Sequence, residues 1–279
     1  MNNVLEIFDN VSISLKQNNI NNYSAEAKII ISSSAENKNF YSLSAEDINS
    51  EKLNHIIKKR IEGIPLAKII NEKGFWKNLF YTNENTLDPR ADSEILVESI
   101  LNDYNFMKLN SFNFMDLCSG TGCIGLSILK EFKNSNCFFV ELSLEAIKVN
   151  KHNSKLLNLT SRSNFFSSDL LLDLKLSMKN IEFIVCNPPY IPSNDVKYLS
   201  KETLHDPLMA LDGGSDGCYF YRLIISQLLK INYKGILYLE IDPKVRDNVL
   251  KLTIEKNLKV IYIKRDYLDL DRIIKINFQ

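Results

Sequence analysis

From residue 111 onward, short and uniformly apolar runs alternate with segments of helical spacing. FNFMDL, CFFVEL, SNFFSSD, IEFIVCN and GILYLEI read as strands. CIGLSILKEFK, SLEAIKVNKHNSKLLNL, YFYRLIISQLLKI and PKVRDNVLKLTIEKN, set between them, read as helices. Strands that are apolar at nearly every position, rather than at alternate ones, belong to a parallel sheet covered by helices on both faces. Two last strands, LKVIYIKRD and RIIKINF, are joined by YLDL alone. A parallel crossover needs a dozen or more residues, so these two pair antiparallel. The expectation for residues 111–279 is therefore an α/β domain on a seven-stranded sheet with one antiparallel strand.

Residues 1–75 show no such alternation. In Ser44–Ile61, the apolar residues Ile48, Leu53, Ile56, Ile57 and Ile61 fall at roughly helical spacing behind a Ser cap and an acidic first turn. SSSAENKN near residue 32 reads as a loop. A small N-terminal helical domain is expected, followed over residues 76–110 by a linker, a hairpin and a helix. The hairpin falls in GFWKNLFYTNENTLDPRADSE (Gly74–Glu94), and the helix starts near Asp92.

Charge and cysteine usage narrow the function classes. Lys+Arg and Asp+Glu both number 34, which argues against a chain built to grip phosphate backbones, so no stable nucleic-acid binding is expected. The start, MNNVLEIFDN, carries no secretory pattern, and no apolar run approaches the about 18 residues of a membrane span. Five cysteines without a C-x-x-C pair point to reduced thiols and a cytoplasmic protein. His55, His152 and His205 lack metal-ligand spacing, so no metal is expected.

The first of the alternating strands runs into Asp116-Leu-Cys118-Ser119-Gly120-Thr121-Gly122-Cys-Ile-Gly125, and the second ends in Glu141. Glycines at a helix N-terminus let the backbone approach a ligand closely, and the downstream acid is placed for ribose hydroxyls. The same pattern satisfies the dinucleotide fingerprint, which leaves a nicotinamide oxidoreductase open. Two features favour S-adenosylmethionine. Asp116, Glu141 and Asp169 offer carboxylates to a ligand that carries an ammonium and a sulfonium but no phosphate. The antiparallel last strand is also foreign to the usual dinucleotide domain. Asp169 is the expected adenine partner, with Leu170 packing against the base.

IVCNPPYIP ends a core strand with Asn187, Pro188, Pro189 and Tyr190. Prolines cannot donate to a ladder, so they end it and leave nearby carbonyls free to accept from a ligand. A planar NH₂ group would then give one hydrogen to the Asn187 oxygen and the other to the Pro188 carbonyl, with Tyr190 against its flat face. Such a clamp suits a neutral amide or an aromatic amine. No histidine lies near the motif, so deprotonation is expected to follow methyl transfer.

Together these segments resemble the bacterial glutamine methyltransferases that modify peptide chain release factors. The resemblance spans nearly the whole chain: RIEGIPLAKIINEKGFW (Arg60–Trp76), LDPRADSE (Leu87–Glu94), DLCSGTGCIG, VCNPPYIP, the stretch Asp206–Gly217 and the terminal Asp269–Arg272. It implies a Rossmann-like, seven-stranded S-adenosylmethionine-dependent methyltransferase domain with a small N-terminal helical domain that docks the substrate. Cys118 to Gly122 carry over to the cofactor loop, Glu141 to the ribose contact and Asn187 to Tyr190 to the substrate clamp. The implied substrate is the glutamine of the Gly-Gly-Gln motif in release factors. Methylation of a ribosomal-protein glutamine, or of an exocyclic amine in DNA or RNA, is the alternative within the same chemistry. Ala91, Asp242 and Glu141, which stands where the family more often has Asp, depart from the family pattern. Arg90 is read either as facing the cofactor or incoming loop, or as a surface ion pair with Asp92 or Glu94.

Overall fold

The computed structural model describes residues 3–35, 39–107, 109–172, 174 and 177–278. The chain divides into two compact units: one up to Asn71 together with Ser200–His205, the other Glu72–Leu199 with residues from Asp206 on.

The first unit contains α1 (Val4–Gln17), α2 (Tyr23–Ser33), α3 (Ser50–Ile61) and the short α4 (Leu66–Ile70). Its core is aliphatic, with Leu15, Ile30, Ile31 and Ile56 buried. Arg60 is buried too, and its charge is met by Glu26 at 2.6 Å and Glu202 at 2.7 Å. The helix expected from Ser44 begins later. Ser44 caps only a single 3₁₀ turn, Ala45–Asp47. Ile48 is then extended and bridges Ala35, and the Asn49 side chain takes the Lys52 N–H at 2.9 Å to start α3. Of the expected SSSAENKN loop, Ser32 and Ser33 complete α2, and residues 36–38 lie outside the described residues.

The second unit opens with a hairpin of β1 (Glu72–Phe75) and β2 (Asn78–Tyr81), followed by a 3₁₀ turn at Ala91–Ser93 and α5 (Glu94–Asp103). Then come β3 (Asn113–Leu117), α6 (Cys123–Glu131), β4 (Asn136–Glu141), α7 (Leu144–Leu156), β5 (Ser163–Ser167) and β6 (Ile181–Cys186). The chain ends with α8 (Tyr219–Lys230), β7 (Ile236–Glu240), α9 (Arg246–Glu255), β8 (Lys259–Arg265) and β9 (Asp271–Asn277). The seven larger strands form one sheet in the order β5-β4-β3-β6-β7-β9-β8. β9 runs antiparallel to both its neighbours, and the other pairings are parallel. This is the α/β sheet expected from the alternation.

Both faces of the sheet's centre are covered, which is why β3, β6 and β7 are buried at nearly every position. Phe114, Phe139, Phe183 and Tyr238 face a core shared with the hairpin, α5 and α6; Phe114 stacks on Phe183 at 5.0 Å. Met115, Ile184, Leu237 and Ile274 face the opposite core, filled by Tyr221, Ile225 and Leu228 of α8. Strand order reverses between β3 and β6. Ligands of open α/β sheets bind at such a switch point, beyond the carboxyl ends of the strands.

Candidate active site

A cavity of about 700 Å³ opens at that switch point, beyond the ends of β3, β4 and β6. β3 hands over to a tight loop in which Cys118, Gly120 and Gly122 all take positive φ, at 58°, 50° and 77°. For Cys118 that conformation carries strain of order 1–3 kcal/mol, a cost typical of functional loops. The loop is pinned from β4: Ser119 N–H donates to Val140 O at 3.2 Å, and Gly120 N–H donates to Glu141 Oε2 at 2.9 Å. The other Glu141 oxygen accepts from Ser143 N–H at 3.0 Å. Cys118, Gly120 and Glu141 line the cavity.

Ser119, Thr121 and Gly122 support the loop from outside the cavity wall. The Ser119 hydroxyl accepts from Asn150 Nδ2 at 3.2 Å, and Thr121 O accepts from Asn153 Nδ2 at 2.9 Å. At Gly122 a Cβ would lie 2.1 Å from Asn150 Oδ1, so the close approach of α7 demands glycine there.

Asp116 does not face the cavity, which corrects its reading as a partner for a cofactor's cation. It is 1% exposed, and its Oδ2 accepts from Gly125 N–H at 2.9 Å, in the first turn of α6. Burial holds its carboxyl well above the ordinary range, against that hydrogen bond. The charge it was expected to offer is instead supplied along the wall by Glu141, Asp169 and Asp212.

Asp169 and Leu170 line the wall beyond β5. Leu170 is buried and takes a positive φ of 53°; the next residue anchors the turn, with Leu171 N–H donating to Gln227 Oε1 at 2.8 Å.

Across the crevice, Asn187 and Pro189 complete the wall. Asn187 Nδ2 donates to the buried Ser93 hydroxyl at 3.1 Å, which leaves Oδ1 as the free acceptor of the amide. Pro188 is buried and stands outside the wall. Tyr190 is also outside it, contrary to the expectation that its ring lies against a substrate. Its hydroxyl turns to Glu240 Oε1 at 3.4 Å, and burial pushes the phenol well above its usual range. The prolines end the ladder of β6, and the backbone then pairs with the segment after Ala210. Ile191 N–H donates to Leu211 O at 3.0 Å, Gly213 N–H to Ile191 O at 2.7 Å and Ser193 N–H to Gly214 O at 2.9 Å. A Cβ on Gly213 would come 2.6 Å from Tyr190 Cα. The Ala-Leu-Asp-Gly-Gly stretch is thus the backbone brace of Asn-Pro-Pro-Tyr.

Arg90 meets neither expectation: it pairs with Asp206, whose Oδ1 accepts from Asp88 N–H at 3.2 Å. Asp242 accepts from Lys244 N–H at 2.8 Å and turns the chain toward α9, and Ala91 is exposed in the 3₁₀ turn. Ser93, Asn150, Asn153, Gln227 and Glu240 were not singled out in the sequence. Each acts through a partner remote along the chain, so no local spacing marks them.

Among the described residues, the cavity wall contains three carboxylates and no Lys, Arg or His. That donor set suits a cationic nucleoside ligand and gives nothing to a pyrophosphate. Fold and site together define an S-adenosylmethionine-dependent methyltransferase. A family profile described as "Methyltransferase small domain" matches residues 84–212. The chain is 35% identical over 233 residues to a release factor glutamine methyltransferase of Dictyoglomus turgidum, covering 82% of this chain and 81% of that one. It is 31% identical over 264 residues to the Buchnera aphidicola protein of the same name, covering 92% and 93%. The chain belongs to the release factor glutamine methyltransferase family. In fold it is similar to the hMettl16 catalytic domain solved with the MAT2A 3′UTR hairpin 1, at a TM-score of 0.57 and 12% identity over 91% of this chain and 90% of that one.

Proposed function

We propose that this enzyme methylates the side-chain amide of the glutamine in the Gly-Gly-Gln motif of peptide chain release factors, in the cytoplasm. The observation that carries the reading is the Asn187 amide, fixed on Ser93 with its oxygen unpartnered among the described residues, in a wall whose described side chains include no basic one. A glutamine NH₂ brings two donors and no charge, and it matches the acceptor Asn187 Oδ1 at the wall. A nucleotide base arrives with phosphates, for which the described wall offers no basic side chain.

When bound, S-adenosylmethionine supplies an electrophilic methyl group on a positively charged sulfur. Glu141 is assigned to its ribose hydroxyls, Asp169 to its adenine, and Leu170 to the apolar face of the base. Asn187 Oδ1 would take one amide N–H and orient the nitrogen toward the methyl group. Such orientation is worth roughly 7–11 kcal/mol in favourable cases. Transfer would form the nitrogen–carbon bond as the carbon–sulfur bond breaks and S-adenosylhomocysteine leaves. The methylated nitrogen would then give up its extra proton to water, so the residues present need not include a tuned base.

Release factor, ribosomal proteins and RNA incubated with the enzyme and labelled cofactor test this reading, with mass spectrometry locating the mark. Label on the Gly-Gly-Gln glutamine is expected. Label on ribosomal protein or nucleic acid, with release factor unmarked, overturns it.

A further inference from the structure

Glu240 ends β7, and the parallel register that pairs Cys186 with Leu239 sets it beside Asn187. It is 1% exposed. One oxygen takes the Tyr190 hydroxyl, and the other, Oε2, makes no hydrogen bond of ordinary geometry among the described residues. A buried carboxylate with an open oxygen is expensive, and a hydrophobic residue would serve packing better. Ser93, Arg272 and Tyr190 all favour its charge, Ser93 foremost, and the Ser93 hydroxyl is the one that accepts from Asn187 Nδ2 at 3.1 Å. A hydroxyl that accepts from Asn187 keeps its own proton to give, and Glu240 is the acceptor at hand.

We propose that Glu240 is a positioning residue for methyl transfer: through Ser93 it holds the Asn187 amide with nitrogen turned away from the cavity and oxygen toward it, while Tyr190 ties the same loop to its other oxygen. The inference rests on the reading of Asn187 as the clamp for a glutamine amide. The two ends of an Asn amide are nearly equal in shape, so hydrogen bonding alone decides which faces the substrate. Left to itself, Ser93 donates to Asn187 Oδ1 as readily as it accepts from Nδ2. A neighbour that has no proton to give removes that choice. A flipped Asn187 would offer donors to an NH₂ that also brings only donors.

The groups that face Glu240 are Ser93 and Asp92 on the 3₁₀ turn, Tyr190 on the β6 loop and Arg272 on β9. Burial pushes its carboxyl up to about 7; Ser93, Arg272 and Tyr190 draw it back, and Asp92 opposes them. The linkage is therefore expected to switch on as Glu240 ionises.

Glu240→Gln can donate to Ser93 and release Asn187 to turn. On release factor its kcat is expected to fall about tenfold or more, with cofactor affinity within about twofold and Tm no lower than wild type. Ser93→Ala should lose kcat similarly, and Ser93→Thr, which keeps the hydroxyl, should restore it. The Asn187 side-chain NH₂ cross-peak, assigned by its loss in Asn187→Ala, reads the linkage with no substrate present. It should titrate near pH 7 in wild type and stay fixed in Glu240→Gln. A wild-type peak that does not move, a Glu240→Gln kcat within about twofold of wild type, or a kcat loss matched by a lower Tm overturns the proposal. If wild type marks no release factor while the peak still titrates, the substrate reading fails and the positioning role stands.

Discussion

Asn153 on α7 and Tyr81 on β2 hydrogen-bond each other twice: Tyr81 N–H donates to Oδ1 at 2.7 Å, and Nδ2 donates to Tyr81 O at 2.9 Å. The same Nδ2 reaches Thr121 O at 2.9 Å, so one buried amide joins the hairpin to the glycine loop. Asn153→Leu strands a buried N–H and takes a donor from two carbonyls. At about 1–3 kcal/mol for a stranded group, a loss of roughly 3 kcal/mol is expected. That corresponds to a Tm lower by about 6–12 °C in a thermal melt. A Tm close to wild type would show that the hairpin and loop hold without this tie.

Gly122→Ala is the sharpest probe of the cofactor loop. The substitution combines a φ of 77° with a Cβ placed 2.1 Å from Asn150 Oδ1, and the loop has to shift away from α7. Affinity for S-adenosylhomocysteine is expected to drop by more than about tenfold, since a loop displaced by even an ångström misplaces its backbone. Gly74→Ala is the control: it lies in β1 with nothing within 4 Å of the new Cβ. Calorimetry on both variants should separate them, and equal affinities would remove the loop from the cofactor site.

These contacts explain how much of the fold the amino-acid sequence dictates by itself. The parallel sheet was legible because strands buried on both faces leave an unbroken apolar signature, as in Phe183-Ile184-Val185-Cys186. The antiparallel end was legible because YLDL is too short for a crossover. Cys118, Gly120, Glu141, Asp169, Leu170, Asn187 and Pro189 were picked out by motif, and all line the cavity. Asp116 was misread because a carboxylate after a strand has two partners on offer, a ligand or the next helix, and here the Gly125 N–H takes it. The start of α3 was misplaced because Ser44 and Asn49 are both good caps, and the choice between them is made by the bridge from Ile48 to Ala35. Asn150 and Asn153 carried no signal, since an amide on an amphipathic helix looks like ordinary surface until its remote partner is known, and Glu240, at the end of an apolar strand, reads as the point where the strand meets solvent.

Gly213→Ala tests the brace behind Asn-Pro-Pro-Tyr. Its Cβ would come 2.6 Å from Tyr190 Cα and 2.9 Å from Pro189 O, both backbone atoms of a loop closed by prolines. The loop has little freedom to yield, so Asn187 and the Pro188 carbonyl should be displaced together. The expected result is a kcat on release factor lower by about a hundredfold, with cofactor affinity almost unchanged, because misplacement of about 1 Å is enough for such a loss. Loss of cofactor binding in step with kcat would mean that the brace serves the whole cavity rather than the clamp.

Glu240 should also leave a signature in stability against pH. Its carboxyl ordinarily titrates near 4.5, and burial, with Asp92 adding to it, raises it to about 7 in the folded chain. The folded state therefore holds this proton more tightly than the unfolded chain does. The penalty of the buried charge is absent below about pH 4.5, grows between about 4.5 and 7, and is complete above that, amounting to about 3 kcal/mol. Glu240→Gln has no charge to bury and escapes it. Paired urea melts should accordingly show the two proteins converging at pH 4.5 and the variant ahead at pH 8, even though the variant is the poorer enzyme. A difference that instead favours wild type at pH 8 would mean that Arg272 and Ser93 more than offset burial, and that the carboxylate is native to its site rather than held there for Asn187.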